Sequence, residues 1–225
     1  MDIQDKINYL QSFMTDQRIE RMNAILAERT QYISVVIEDI FQAHNISAVL
    51  RSCDCFGIQD VHIMQGKNKY QVNSEISLGS SKWVSTHLYD KKDKSIASLY
   101  ASLRQKGYRI VATSPHAKSI APQDIDLSSP LALIMGAEAQ GLSEEAFLEA
   151  DECIKIPMYG FTESFNISVA TAIILHALRE RLEKENIEWR LNDEAAQQIL
   201  FEWCKNSVKN SDKLLEKYRM ANTSN

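Results

Sequence analysis

Glycine is scarce in this chain, seven among 225 residues, and that scarcity weighs against a dinucleotide-binding fold of the usual kind. No G-x-G-x-x-G follows the first strand-like segment. Gly136 to Gly141 has the spacing of a phosphate loop, but Leu142 and Ser143 stand where lysine and then serine or threonine are required, which excludes that chemistry. There is no G-x-S-x-G elbow, and no grouping of acid, histidine and serine shows in the spacing. Cysteine is also sparse. Cys53, Cys55, Cys153 and Cys204 make one C-x-C with no second pair and no spaced histidine pair, so they read as reduced thiols and not as a zinc site. Long apolar runs are missing: Ile167 to Leu178 is broken by Ser168, Thr171 and His176 and is too short to span a bilayer. The N-terminal MDIQDKINYLQ is charged and lacks the apolar core of a secretory leader, so a cytoplasmic protein without a membrane segment is expected.

Net positive charge is lacking too. The formal charge is −5, which argues mildly against a nucleic-acid partner, because phosphate binding depends on Lys and Arg. The distribution tells more than the total. Six lysines (67, 69, 82, 91, 92 and 94) face three acids between Lys67 and Lys94, and Lys205, Lys209, Lys213, Lys217 and Arg219 add a basic stripe near the C-terminus. Singly these read as solvated surface residues; together they form a candidate RNA-facing rim. Hydrophobic residues make up 44% and charged residues 24%, ordinary values for a globular protein.

Periodicity organises the rest. Residues 2–29 read as two short helices, with Thr15 and Asp16 as capping candidates between them. Strand-like runs follow at Ile33 to Ile40, Val61 to Met64, Tyr108 to Thr113, Leu131 to Met135 and Glu152 to Ile156. Between them come helices from Ile46 to Phe56, stopped by Gly57, and from Ser95 to Lys106, stopped by Gly107. Gln65 to Asp90 reads as a loop-rich insertion with a short helix, and Ser143 as the cap of another helix. This alternation predicts an α/β fold with a parallel sheet and helices on both faces. Asp193 to Tyr218 is a helical tail whose Ile199, Phe201, Trp203 and Leu214 need a surface to cover, either the core or a second copy. The expected division is 1–29, 30–185 and 186–225, a core flanked by two helical extensions.

The densest stretch is Ile156 to Leu178, IPMYGFTESFNISVATAIILHAL. It joins a turn at Pro157 and Gly160 to a polar cluster and an apolar helix that is small on one side (Ser168, Ala170, Thr171, Ala172). Ser164 or Asn166 can accept from the free N–H groups of the first helical turn. Taken alone, this is a capped core helix after a proline turn.

Together with HNISAVLRSCDCFG at 44–57 and LIMGAEAQGLSEE at 133–145, this segment resembles the three motifs of the SpoU family of RNA 2′-O-ribose methyltransferases, in the SPOUT superfamily. The third motif is matched by Ile156, Pro157, Met158, Gly160, Ser164, Asn166, Ser168, Val169 and Ala170, and the terminal extensions resemble the branch acting on guanosine 18 of tRNA. The resemblance implies a C-terminal trefoil knot, a homodimer and S-adenosylmethionine as cofactor, with no metal. Carried over by position, cofactor contacts fall to Thr113, Gly136, Ile156, Met158 and Phe165, the last departing from the family's leucine. Arg51, six positions after the matching Asn45, is implied as the central catalytic residue; without the resemblance it is a helix-surface arginine in a salt bridge. A guanidinium surrenders its proton very reluctantly, so Arg51 suits phosphate binding and stabilisation of a developing alkoxide. Glu138 matches the acid of the second motif and would orient Arg51 or Asn166, while Ser164 and Asn166 would fix the arginine, the ribose or the cofactor loop. Rival expectations are a ribosomal RNA enzyme of the same family and a non-catalytic RNA-binding relative.

Overall fold

Ile33–Glu38 (β1, ISVVIE) is a β-branched run in which every residue is buried. Burial on both faces is the mark of a central parallel strand sandwiched between helical layers. The computed structural model describes residues 2–39, 42–66, 79–114, 119–136 and 141–223. Among them β1 is followed by Ala43–Cys55 (α3), Asp60–Gln65 (β2), Ser85–Asp90 (β3), Ile96–Gln105 (α4), Arg109–Thr113 (β4), Leu131–Met135 (β5), Glu144–Leu148 (α5), Glu152–Ile154 (β6) and Ile167–Lys184 (α6). Two helices precede β1, Ile3–Gln11 (α1) and Asp16–Leu26 (α2), and two follow α6, Asp193–Ser207 (α7) and Ser211–Thr223 (α8).

The six strands form one sheet in the order β3-β2-β1-β5-β4-β6, and every neighbouring pair is parallel. Side chains alternate across it. Ile33, Val35 and Ile37 face a layer with Ile46, Val49 and Leu50 of α3 and Ile174, Leu175 and Leu178 of α6. Val36, Ile110 and Ile134 face the other layer, with Leu99, Tyr100 and Leu103 of α4 and Ala146 of α5. The chain builds outward from β1 in both directions, so strand order reverses between β1 and β5. A crevice beyond the carboxyl ends of strands at such a point is where open parallel sheets bind ligands.

The chain divides into two compact units, residues 30–189 and residues 1–29 with 190–225. In the second, Thr15 caps α2 by accepting from the Arg18 N–H, and Asp2 and Asp5 form a capping box on α1. The apolar tail finds its cover within this unit: α7 packs on α1 and α2, and Ile199, Trp203 and Cys204 are buried. Arg29 is buried with its guanidinium 5.2 Å from the Trp203 ring, and Tyr9 stacks on Tyr218 at 4.1 Å.

Several boundaries differ from the sequence reading. The segment Gln65 to Asp90 contains an edge strand, β3, whose half-buried STHLYD lacks the apolar run of its neighbours. Helix α3 begins at Ala43 and not Ile46, because Gln42, as N-cap, leaves the chain extended without a side-chain cap. The tail is two helices, broken where Asn210 takes φ 57°. Gly57 and Gly107 do end their helices in the left-handed region, at φ 72° and 89°. No helix among the described residues is long and apolar enough to cross a membrane.

A polar cluster lies where β2 meets β3. His62 stacks on His87 with ring centroids 4.6 Å apart and bonds the Tyr89 hydroxyl at 2.9 Å, while His87 contacts Asp60 at 2.8 Å. Burial, then the neighbouring His87, pushes the His62 imidazole down from 6.5 to about 4.

Candidate functional site

Three neighbouring strands deliver the expected cofactor residues to one edge of the sheet. Thr113 ends β4 and pairs with Ile154 of β6, and the preceding Ala112 pairs with Ile134 of β5. Gly136 and Ile156 therefore emerge beside Thr113, one residue past Met135 and two past Ile154. The Thr113 hydroxyl donates to the Ile134 carbonyl at 2.8 Å, tying β4 to β5 at that edge. Ile156 packs on the core, Met158 is half-buried, and Phe165 and Val169 keep 41% and 44% of their surface exposed. These last two give an apolar wall that nothing among the described residues covers completely.

Gly136 is required by close approach. A Cβ there would stand 2.4 Å from the carbonyl carbon of Gly141 and from the Leu142 nitrogen, so the loop leaving β5 closes on itself at a neck that admits no side chain. Gly141 itself has φ 67°. Backbone approaching backbone, beside half-exposed apolar groups, fits an adenosine-type cofactor held by main-chain polar groups against an apolar wall.

The first and third motifs meet at a hydrogen bond. Asn166 is the N-cap of α6, and its Oδ1 accepts from the Ser168 N–H at 2.9 Å and the Ser168 hydroxyl at 2.7 Å. Its Nδ2 donates to Oδ1 of Asn45 at 3.2 Å, and Asn45, in the first turn of α3, is buried. The cap thus falls to Asn166 and not Ser164, which is exposed and makes no side-chain hydrogen bond among the described residues. Arg51 sits on the outer face of α3, exposed and without a carboxylate partner among the described residues. Its six-residue offset from Asn45 is about 9 Å along the helix and about 120° around it, so the two do not share a face. Glu138 lies outside the described residues, as do Lys67 and Lys69.

A residue passed over in the sequence stands at the same edge. Glu38 ends β1 and is only 4% exposed; its Oε1 accepts from Lys91 Nζ at 2.9 Å, and its Oε2 accepts from the Ser143 N–H at 3.0 Å. Burial, then the Glu38 charge, raises the Tyr100 hydroxyl's pKa. The available signal was a carboxylate at the carboxyl end of an otherwise apolar buried strand, where a charge needs a reason.

Comparison with known proteins gives a consistent answer. Residues 32–176 match the model of the SpoU rRNA Methylase family. A tRNA (guanosine(18)-2′-O)-methyltransferase of Borreliella burgdorferi is 39% identical over 93% of this chain and 94% of its own length. One from Thermus thermophilus is 34% identical over 85% of this chain and 97% of its own. The crystal structure of the A. aeolicus TrmH/SpoU tRNA modifying enzyme superposes with a TM-score of 0.76 at 33% identity, covering 87% of this chain and 98% of that one.

Proposed function

The chain belongs to the SpoU rRNA methylase family, and from that premise we propose that it methylates the ribose 2′-oxygen of guanosine 18 in the D-loop of tRNA, with S-adenosylmethionine as donor. The observation that carries this reading is the match, over nearly the whole of both chains, to enzymes named for that reaction. When bound, the cofactor supplies an electrophilic methyl group on a sulfonium; everything else falls to the residues of this chain.

Thr113, Gly136, Ile156, Met158 and Phe165 hold the cofactor. The first three do so at adjacent strand ends, Gly136 through backbone alone, and Met158 and Phe165 provide the apolar wall. Phenylalanine at 165 makes that wall broader than leucine would. Arg51 binds a substrate phosphate and stabilises the 2′-oxygen as its proton leaves, acting through charge-assisted hydrogen bonds. Its exposure and lack of a carboxylate partner among the described residues support this over the salt-bridge reading. Asn166 and Asn45 fix the start of α6 against α3, so the third motif's loop is held in register with the helix that carries Arg51. Glu138 and Ser164 complete the polar set. The 2′-hydroxyl also distinguishes RNA from DNA at the site.

The reading includes three finer elements: a trefoil knot formed by the C-terminal loops, a homodimer and a cytoplasmic location with the tRNA. The exposed Val169 supports a second copy approaching that helix. The helical extensions at 1–29 and 186–225 grip the RNA through their basic residues while the core at 30–185 does the chemistry.

Methyl transfer from labelled S-adenosylmethionine into an unmodified tRNA pool, followed by nuclease mapping, tests the proposal. A single 2′-O-methylguanosine in the D-loop is expected. Labelling of ribosomal RNA instead would assign the chain to the family's other substrate class, and cofactor binding with no transfer to either RNA would leave a non-catalytic relative.

A further inference from the structure

Glu38 joins three segments that are distant in the chain. It ends β1, its Oε1 bonds Lys91 just after β3, and its Oε2 bonds the backbone N–H of Ser143. Ser143 is the N-cap of α5, its hydroxyl accepting from the Ala146 N–H at 3.1 Å. It also lies one residue beyond Leu142, whose nitrogen forms part of the neck that closes on Gly136. Gly136 is therefore held against Gly141 and Leu142 at the neck, and the next residue, Ser143, is fixed by the Glu38 carboxylate.

A buried carboxylate is expensive unless paired and hydrogen-bonded, and Glu38 is both. A capped helix start has no need of an ion pair from two other strands. The arrangement makes sense if Ser143 and the neck beside it must be fixed relative to β1 and β3.

We infer that Glu38, charge-balanced by Lys91, is a positioning residue that holds the neck formed by Gly136, Gly141 and Leu142 in the geometry that binds the cofactor. This rests on the reading that the neck lines an S-adenosylmethionine site. Glu38 touches neither cofactor nor substrate; it acts through Ser143.

The test uses the full chain and the variants Glu38→Gln, Glu38→Ala, Lys91→Met and the double variant Glu38→Gln with Lys91→Met. S-adenosylmethionine binding is measured by calorimetry without RNA, and amide hydrogen exchange of residues 141–148 is measured without cofactor. Glu38→Ala should weaken cofactor binding at least tenfold and speed exchange at Ser143, while KM for tRNA stays unchanged. Glu38→Gln keeps an acceptor for the Ser143 N–H and should lose less. The double variant should recover part of the loss seen in Lys91→Met, because it removes the carboxylate left unpaired there. If Glu38→Ala does not fold, the other three variants carry the same comparison. Cofactor affinity and Ser143 exchange equal to wild type in Glu38→Gln and Lys91→Met would overturn the inference. A wild-type protein that binds no S-adenosylmethionine would instead overturn the functional reading, and the exchange data would still decide whether Glu38 anchors the neck.

Discussion

Asn166 Nδ2 donates to Asn45 Oδ1 at 3.2 Å, a bond between residues 121 positions apart that joins the caps and first turns of two packed helices. The same Asn166 side chain caps α6 through its oxygen. One amide therefore serves both a local requirement, satisfying an orphan N–H, and a long-range one, setting α6 against α3.

These two roles can be separated by substitution. Asn166→Ser should keep a capping oxygen and stay within a few tenths of a kcal/mol of wild type, whereas Asn166→Ala should lose about 1 kcal/mol. Both lose the donor to Asn45, so both should lose methyl transfer by at least tenfold. Urea unfolding beside single-turnover rates checks this. An active Asn166→Ser would mean that the bond to Asn45 is incidental.

Arg51→Ala should abolish methyl transfer and leave stability within about 0.5 kcal/mol, because an exposed side chain without an ion pair contributes little to folding. Arg51→Lys should not rescue, since an ammonium lacks the planar two-pronged donor geometry. Thermal unfolding and transfer assays on the same preparations decide. Marked destabilisation of Arg51→Ala would favour a structural role.

Gly136→Ala would force a Cβ to within 2.4 Å of the Gly141 and Leu142 backbone, so the loop must open. The sheet below stays intact, because Gly136 lies past the end of β5. The expected result is a folded protein with cofactor affinity reduced at least tenfold by calorimetry. Wild-type affinity would show that the cofactor does not depend on this neck.

Two helical caps, the glycine stops and five of the six strands were legible because each depends on local chemistry: Thr15 and Ser143 as caps, Gly57 and Gly107 at positive φ, and apolar runs of the right length. Strand β3 was not, because an edge strand is half-exposed and STHLYD carries no apolar run. Nor was Glu38. Its significance comes from partners 53 and 105 positions away, which no periodicity reveals. The pairing of Asn45 with Asn166 is of the same kind: each residue reads locally as an ordinary helix-start asparagine, and only the packing of α3 on α6 brings them together.

Acid should weaken the fold through His62. Its imidazole titrates at about 4 when folded, against 6.5 in its ordinary setting, because burial disfavours the charged form and the nearby His87 adds to this. The unfolded chain therefore binds a proton at this site below about pH 6.5 that the folded chain refuses until about pH 4. The stabilising contribution is complete above the upper limit, falls as pH drops through the window, and is gone below the lower one. At about 1.4 kcal/mol per pH unit, the loss is on the order of 3 to 4 kcal/mol. Urea midpoints from pH 7 to pH 4 should fall accordingly, and His62→Gln should flatten the slope. An unchanged slope in that variant would assign the acid sensitivity to other groups.

The basic stripe at the C-terminus can be tested by its salt dependence. Lys209, Lys213 and Lys217 are exposed; Lys213 and Lys217, four apart within α8, share a helical face, and Lys209 lies just before the break at Asn210. If they neutralise tRNA phosphates, each releases condensed counterions, and the slope of log affinity against log salt should shrink by about 0.7 to 0.9 for each lysine removed. Changing all three to glutamine should then raise KM for tRNA and flatten the salt dependence by about 2 to 3 in slope, with S-adenosylmethionine affinity unchanged. The overall negative charge makes this the more telling test, because non-specific attraction cannot supply the affinity. An unchanged slope in the triple variant would leave Lys82, Lys92 and Lys94 as the basic set that meets the RNA.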